Sequence, residues 1–245
     1  MKCLILAAGY ATRLYPLTEN FPKPLLEVRG KSILDHLLDD LDSTGKIDGY
    51  VVISNHKFAR CFTDWAKGKT LPVAVLDDGT ERNEDRLGAV RDVALAIREL
   101  SLDEDLLVVA GDNLLDFSLA RFLDYAEGKR ASCVLRYYEP SVERLKKCGV
   151  LDVDENDRIL SMVEKPAEPR SHWCCPPFYR FTREDARRVA EGIAAGCGVD
   201  APGSFIAWLS SVSPVYAMEM PGNRYDVGDL KSYEEVKKNY GGVRV

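Results

Sequence analysis

A short strand that stops on small residues and is followed by two isolated cations sets the terms for the rest of this chain. The stretch is Leu6–Pro24, LAAGYATRLYPLTENFPKP. The apolar run Cys3-Leu4-Ile5-Leu6 ends in Ala7-Ala8-Gly9, and a turn segment with Ala11, Thr12 and Arg13 follows. Ten residues beyond Arg13, Lys23 stands between Pro22 and Pro24. A strand that ends this way leaves backbone N–H groups free, and Gly9 has no Cβ to keep a ligand away from the main chain. Arg13 brings a planar fork suited to phosphate oxygens, and Lys23 brings a point charge. The flanking prolines restrict the backbone that carries Lys23 and aim its ammonium. These parts suit a triphosphate. A glycine turn after a first strand would by itself carry little weight, since many α/β domains have one.

The full string resembles the signature of the sugar-1-phosphate nucleotidyltransferases, usually written L-A-A-G-x-G-T-R-L-x-P-x-T and followed by P-K-P. Ala11 is a departure, because it stands where that family usually has its second glycine. The resemblance implies nucleotide contacts from Leu6, Ala7, Ala8, Gly9, Ala11, Thr12, Arg13 and Lys23. It covers Leu4 to about Val236, with no linker, repeat or appended domain left over.

Composition limits the alternatives. The chain has 245 residues, enough for one large α/β domain, with 46% hydrophobic and 29% charged residues, as in a soluble globular protein. Its 33 Lys and Arg against 39 Asp and Glu give a net charge of −6, which argues against holding nucleic acid through the overall field. Seven cysteines, with no C-x-x-C, suggest neither a disulfide framework nor a zinc site. Met1-Lys2 leads straight into a strand, so no signal peptide is expected, and no run approaches the ~18 apolar residues of a membrane helix. A cytoplasmic location is the expectation, with no membrane partner; self-association is left open.

Along the chain, apolar runs alternate with helical periodicity. Strands are expected at Tyr50–Ser54, Pro72–Leu76 and Asp105–Ala110, and helices after Ser32, over His56–Lys67 and over Ala89–Leu100. This pattern predicts an α/β fold: a Rossmann-like three-layer α/β/α arrangement with a mixed central sheet, as the resemblance also implies. The expected layout is a single domain over residues 1–245, with a nucleotide part to about residue 125 and an acceptor part after it. In such sheets ligands sit beyond the carboxyl ends of the strands, where Gly9–Arg13 would lie.

Asp77–Gly88 reads as a solvated loop except at its end. Leu87-Gly88 occupies the place where the resembled family has a glycine turn ahead of a helix contacting base or sugar, so both are candidate nucleotide contacts. Gly111-Asp112-Asn113 follows a buried strand, and a carboxylate there suits a hard cation, although an Asx turn is the commoner use. It resembles the family's G-D-N signature, which implies Mg²⁺ on Asp112 and close approach at Gly111. Asn223–Asp229 resembles the W-x-D-x-G turn, which implies Asp226 as the second Mg²⁺ ligand. Asp229 reads as the N-cap of a last helix. Asp112 and Asp226 are 114 residues apart, so only folding could join them.

Val163-Glu164-Lys165-Pro166 would by itself be a solvated turn. In this setting it resembles the family's E-K-P, implying that Glu164 accepts from sugar hydroxyls and Lys165 meets the sugar phosphate. The segment SHWCCPPFYRF departs most from the pattern. It reads as an edge strand with prolines at its start, or as a reshaped acceptor pocket walled by Trp173, Phe178 and Tyr179.

The implied reaction joins an NTP (UTP, dTTP or CTP favoured) to a sugar 1-phosphate, giving an NDP-sugar and pyrophosphate. Arg13, Lys23, Asp112 and Lys165 are the candidate catalytic residues. A cytidylyltransferase acting on phosphocholine is the enzymatic alternative, supported by the aromatic segment. A nucleotide-sugar sensor without catalysis is a more distant one, supported only by Ala11.

Overall fold

The computed structural model describes residues 1–243. The chain divides into two compact units. The first comprises Met1–Arg86, Ala110–Arg121 and Pro221–Val245, and the second Leu87–Val109 and Phe122–Met220. These compact units are not two successive stretches of sequence: the Leu87–Val109 segment groups with Phe122–Met220, and the segment from Pro221 groups with the first unit.

Three parallel strands form the base of the first unit. Lys2–Leu6 pairs with Gly49–Ser54 in the register Leu4↔Val51, and Gly49–Ser54 pairs with Val73–Asp77 in the register Val52↔Val75. Every residue of Gly49–Ser54 is buried, which explains its unbroken apolar run. The helix Ile33–Ser43 buries Ile33, Leu34, Leu37, Leu38 and Leu41, which recur at helical spacing. Ser32 caps it, its Oγ accepting from the Asp35 N–H at 3.0 Å. The helix His56–Ala66 buries Phe58 and Phe62 and is capped by Asn55.

A feature hidden from the sequence pattern joins two remote parts of this unit. Asn113–Leu115 and Arg224–Asp226 form an antiparallel pair in which Asp226 faces Asn113. Each strand has only three residues, too few for a period to show. After the second of them Asp229 caps the helix Leu230–Asn239 in a capping box with Ser232, as its spacing suggested.

The second unit is mostly antiparallel. Phe178–Phe181 lies between Leu106–Ala110 and Ser132–Tyr138, with Tyr179 opposite Val108 and Val134. Trp173–Cys175 lies between Gly149–Val153 and Ser132–Tyr138. The edge-strand reading of this segment is thus corrected. Both pieces are interior strands, and Pro176-Pro177 fall at the break between them, where no ladder N–H is needed. Ile159–Glu164 pairs with Gly149–Val153, and Val215–Glu219 runs parallel to Ser132–Tyr138. Among the described residues no helix is long and apolar enough to cross a membrane.

Candidate active site

The first unit builds its site at the carboxyl ends of its parallel strands. After Leu6 the chain is fastened to the neighbouring strand-ends. The Ala7 N–H donates to Ile53 O at 2.9 Å, and Asn55 Nδ2 donates to Ala8 O at 3.0 Å. Tyr10 is buried and its hydroxyl donates to Thr80 O at 2.9 Å. Asn55 thus caps a helix and anchors the turn together, a role the sequence signalled only as a polar residue ending a strand. Ala8 acts through that carbonyl, whereas Thr12 opens the short turn Thr12–Leu14 and is exposed.

Gly9 and Ala11 reverse the expected assignment of backbone freedom. A Cβ on Gly9 would meet nothing within 4 Å, and its φ is not positive, so the protein's own packing does not require glycine there. Ala11 is the residue with φ +48° and ψ 41°, the left-handed conformation that the family's usual glycine would adopt without strain. An L-residue gives up about 1–2 kcal/mol there. The conformation is held by Thr18, whose hydroxyl donates to Ala11 O at 2.8 Å, and by the Leu14 N–H at 2.9 Å.

Leu6, Ala7, Gly9, Ala11, Arg13, Lys23 and Asp112 line one cavity of about 220 Å³. Arg13 is exposed, whereas Lys23 is buried in the short turn Lys23–Leu25 behind Pro22. Lys23 Nζ donates to Asp112 Oδ2 at 2.7 Å and lies 4.0 Å from Asp226 Oδ1. The lysine expected on phosphate is therefore paired with a carboxylate here. Arg224, unmarked by the motif, lies 3.8 Å from Asp226 Oδ2 and donates to Asn113 Oδ1 at 2.6 Å. Asn113 Nδ2 in turn donates to Asp112 Oδ1 at 2.7 Å. Burial alone would raise the Asp112 carboxyl, but the Lys23 ammonium and the Arg224 guanidinium outweigh it and hold it below the usual carboxylate range.

Two carboxylates that converge on one cation have the donor chemistry for a hard divalent ion. The ammonium of Lys23 already stands at that position. No cluster of three or more His, Cys, Asp or Glu residues occurs among the described residues, so further oxygens would have to come from a ligand or water.

Gly111 has a structural reason of its own. Its N–H donates to Leu6 O at 3.0 Å, and a Cβ would come within 3.0 Å of Ile5 Cγ2 and 3.4 Å of Pro24 Cγ. The chain's own packing thus already requires a glycine here.

In the second unit Gly88 is explained in the same way. Its φ of +92° with ψ 148° is a conformation essentially reserved for glycine, and a Cβ would lie 2.5 Å from Val199 O. The N–H groups of Ala89 and Val90 donate to Asp200 O and Val199 O. Gly88 does stand at the start of the helix Ala89–Glu99, but the two N–H groups that follow it are taken by the protein's own carbonyls.

Glu164 ends the strand Ile159–Glu164, and Lys165 follows it. Lys165 has φ +48°, and its N–H donates to Cys148 O at 2.9 Å. Burial raises the Glu164 carboxyl above its usual range, and the Lys165 charge only partly opposes this. No hydrogen bond to the Glu164 side chain is found among the described residues.

The aromatic wall is also corrected. Phe178 and Tyr179 are 0% and 2% exposed, core residues of a central strand rather than open surfaces. Trp173 is half-buried, and the Arg136 guanidinium lies 4.7 Å from its ring centroid while Tyr138 meets it edge-on. Of these three rings only Trp173 is not buried, and it already has a cation against it.

UTP–glucose-1-phosphate uridylyltransferase AglF of Haloferax volcanii is 31% identical over 184 residues, which are 74% of this chain and 72% of that protein. A putative mannose-1-phosphate guanyltransferase of Sulfolobus acidocaldarius is 30% identical over 192 residues, covering 77% of this chain and 50% of that protein. UTP–glucose-1-phosphate uridylyltransferase of Synechocystis is 28% identical over 243 residues, 95% of this chain and 61% of that protein, so several relatives are considerably longer. Among solved structures, UDP-glucose pyrophosphorylase complexed with UDP-glucose superposes with a TM-score of 0.84 at 20% identity, over 98% of this chain and 97% of that one. That likeness shows the Rossmann-like nucleotidyltransferase fold with its mixed sheet. The nucleotidyl transferase family model matches residues 2–242. With the match running from the first strand through the last helix, the chain belongs to the nucleotidyl transferase family and is a nucleotidyltransferase.

Proposed function

We propose that this enzyme joins an NTP to a hexose 1-phosphate, releasing pyrophosphate and forming an NDP-sugar, with Mg²⁺ as its metal. The observation that carries the reading is the convergence of Lys23, Asp112 and Asp226 beside Gly9 and Arg13, at the ends of the parallel strands. Relatives named for glucose 1-phosphate and mannose 1-phosphate support a sugar acceptor.

The chemistry needs little from the side chains beyond position and charge. A phosphate monoester has its second pKa at ~6 and is largely dianionic at neutral pH, so its oxygen can attack the α-phosphorus without a general base. The bond from that oxygen to phosphorus forms as the bond to pyrophosphate breaks. Gly9 lets the triphosphate approach the backbone, and Arg13 and Lys23 hold the β- and γ-phosphates, Lys23 exchanging its carboxylate partner for phosphate. Asp112 and Asp226 would hold Mg²⁺, whose chemistry is to neutralise charge on the α-phosphate region. Lys165 meets the acceptor phosphate, and the Glu164 carboxylate, which has no protein donor, accepts from the sugar hydroxyls. UTP, dTTP and CTP are the favoured nucleotides.

The test is pyrophosphate release with five NTPs, each offered glucose 1-phosphate, mannose 1-phosphate or phosphocholine. Turnover is expected with a pyrimidine NTP and a hexose 1-phosphate, lost with EDTA and restored by Mg²⁺. Turnover confined to phosphocholine would overturn the sugar, and full turnover in EDTA would overturn the metal.

A further inference from the structure

Glu164 stands opposite Gly149 at the end of its ladder, and Met162, two residues earlier, points to the same face. The helix Gly203–Val212 packs against this strand. A Cβ on Gly203 would lie 1.9 Å from Glu164 Oε1 and 2.6 Å from Met162 Cε. No pair of non-bonded atoms tolerates the first distance.

Nothing in the backbone explains a glycine at this place. The φ of Gly203 is not in the left-handed region, and it is the first residue of a ten-residue helix in which alanine is the better former. Gly88, by contrast, needs glycine for its φ as well as for its packing. At Gly203 only the space matters, and the Glu164 carboxylate lies in it. Both groups that a methyl would strike are ends of flexible side chains, so alanine would move Glu164 and leave the fold in place.

We infer that Gly203 is a positioning residue for the acceptor: it leaves the slot in which the Glu164 carboxylate lies, and so sets where that carboxylate meets the sugar. The inference rests on Glu164 as an acceptor-binding residue. A larger residue at 203 pushes the carboxylate out of its place, and hydroxyl recognition weakens while the nucleotide side is untouched.

A double-mutant cycle tests this. KM for the hexose 1-phosphate and for the NTP are measured by pyrophosphate release for wild type, Gly203→Ala, Glu164→Ala and the double variant, with thermal unfolding of each. Gly203→Ala is expected to raise the sugar-phosphate KM about tenfold, change the NTP KM less than about twofold, and add nothing in the Glu164→Ala background. Glu164→Asp, one methylene shorter, should recover part of the loss when combined with Gly203→Ala. An equal effect in both backgrounds, no effect at all, or a Gly203→Ala protein that does not fold would each overturn the inference while leaving the function standing. If Glu164→Ala itself leaves the sugar-phosphate KM unchanged, the acceptor role of Glu164 falls, and this inference falls with it.

Discussion

The two units treat the charges of their candidate site residues in opposite ways. In the first, Lys23 sits on Asp112, and Arg224 lies beside Asp226 while reaching Asp112 through Asn113. In the second, the Glu164 carboxylate is half-buried, raised by that burial, and lacks a hydrogen-bond partner among the described residues. A closed set of charges can be organised before any ligand arrives, which is what electrostatic catalysis requires. A carboxylate without a protein donor leaves its acceptor sites to water or to a ligand's hydroxyls.

Two glycines, one from each unit, show a second contrast. Gly9, in the first unit, is unconstrained by φ or packing, and Gly88, in the second, is demanded by both. A glycine that the fold does not need is the better candidate for ligand approach, although both looked alike in the sequence.

The largest expected effect strikes the paired cluster. Asp112→Asn and Asp226→Asn should each lower kcat by about 10³-fold, on the order of 4 kcal/mol, with far-UV circular dichroism unchanged. Activity within tenfold of wild type in either variant would show that the cluster is only structural.

Next comes the glycine contrast. Gly88→Ala should lose about 2–4 kcal/mol of stability in denaturant unfolding, from a glycine-only backbone and a contact with Val199 O. Gly9→Ala should change stability by less than ~0.5 kcal/mol and raise the NTP KM about tenfold. If Gly9→Ala unfolds the protein and Gly88→Ala does not, the distinction fails.

Lys23→Met should lower the rate by about tenfold or more, about 1.4 kcal/mol. The same variant should bind Mn²⁺ at least as tightly as wild type, since the ammonium no longer competes for Asp112. Electron paramagnetic resonance of free Mn²⁺ reads this directly, and weaker binding would mean that Lys23 supports the carboxylates rather than standing in for a metal.

The smallest effect is a pH slope in the second unit. Unfolded Glu164 keeps a pKa of ~4.3, and burial raises the folded value above it, so the folded state holds the proton more tightly. The stability this contributes is complete below the unfolded value and is lost as pH rises through the folded one. Glu164→Gln should therefore gain stability relative to wild type between pH 4 and pH 7 in thermal unfolding. A constant difference would show a solvated carboxylate and end the contrast between the units.

Much of this was legible in one dimension because it depends on local chemistry. The strand ending at Leu6, the cap at Ser32, the buried run Gly49–Ser54 and the cap at Asp229 follow from residue type and period alone. Arg13, Lys23 and Asp112 were marked as candidates by residue type beside a glycine turn and a strand end, and they line one cavity. Family resemblance added Asp226, Glu164 and Lys165, which spacing alone would not have singled out.

Tertiary structure decided the rest, wherever a residue's partner lies far along the chain. The pairing of Asn113–Leu115 with Arg224–Asp226 brings the two carboxylates to one lysine, and neither three-residue strand carries a period to announce it. Phe178 and Tyr179 became core because strands pair on both of their edges, a fact no local pattern contains. Gly88 and Gly111 owe their identity to atoms of Val199 and Ile5, and Gly203 owes its identity to Glu164. A sequence shows what a side chain can do, but the space it is left with is set by neighbours that only folding supplies.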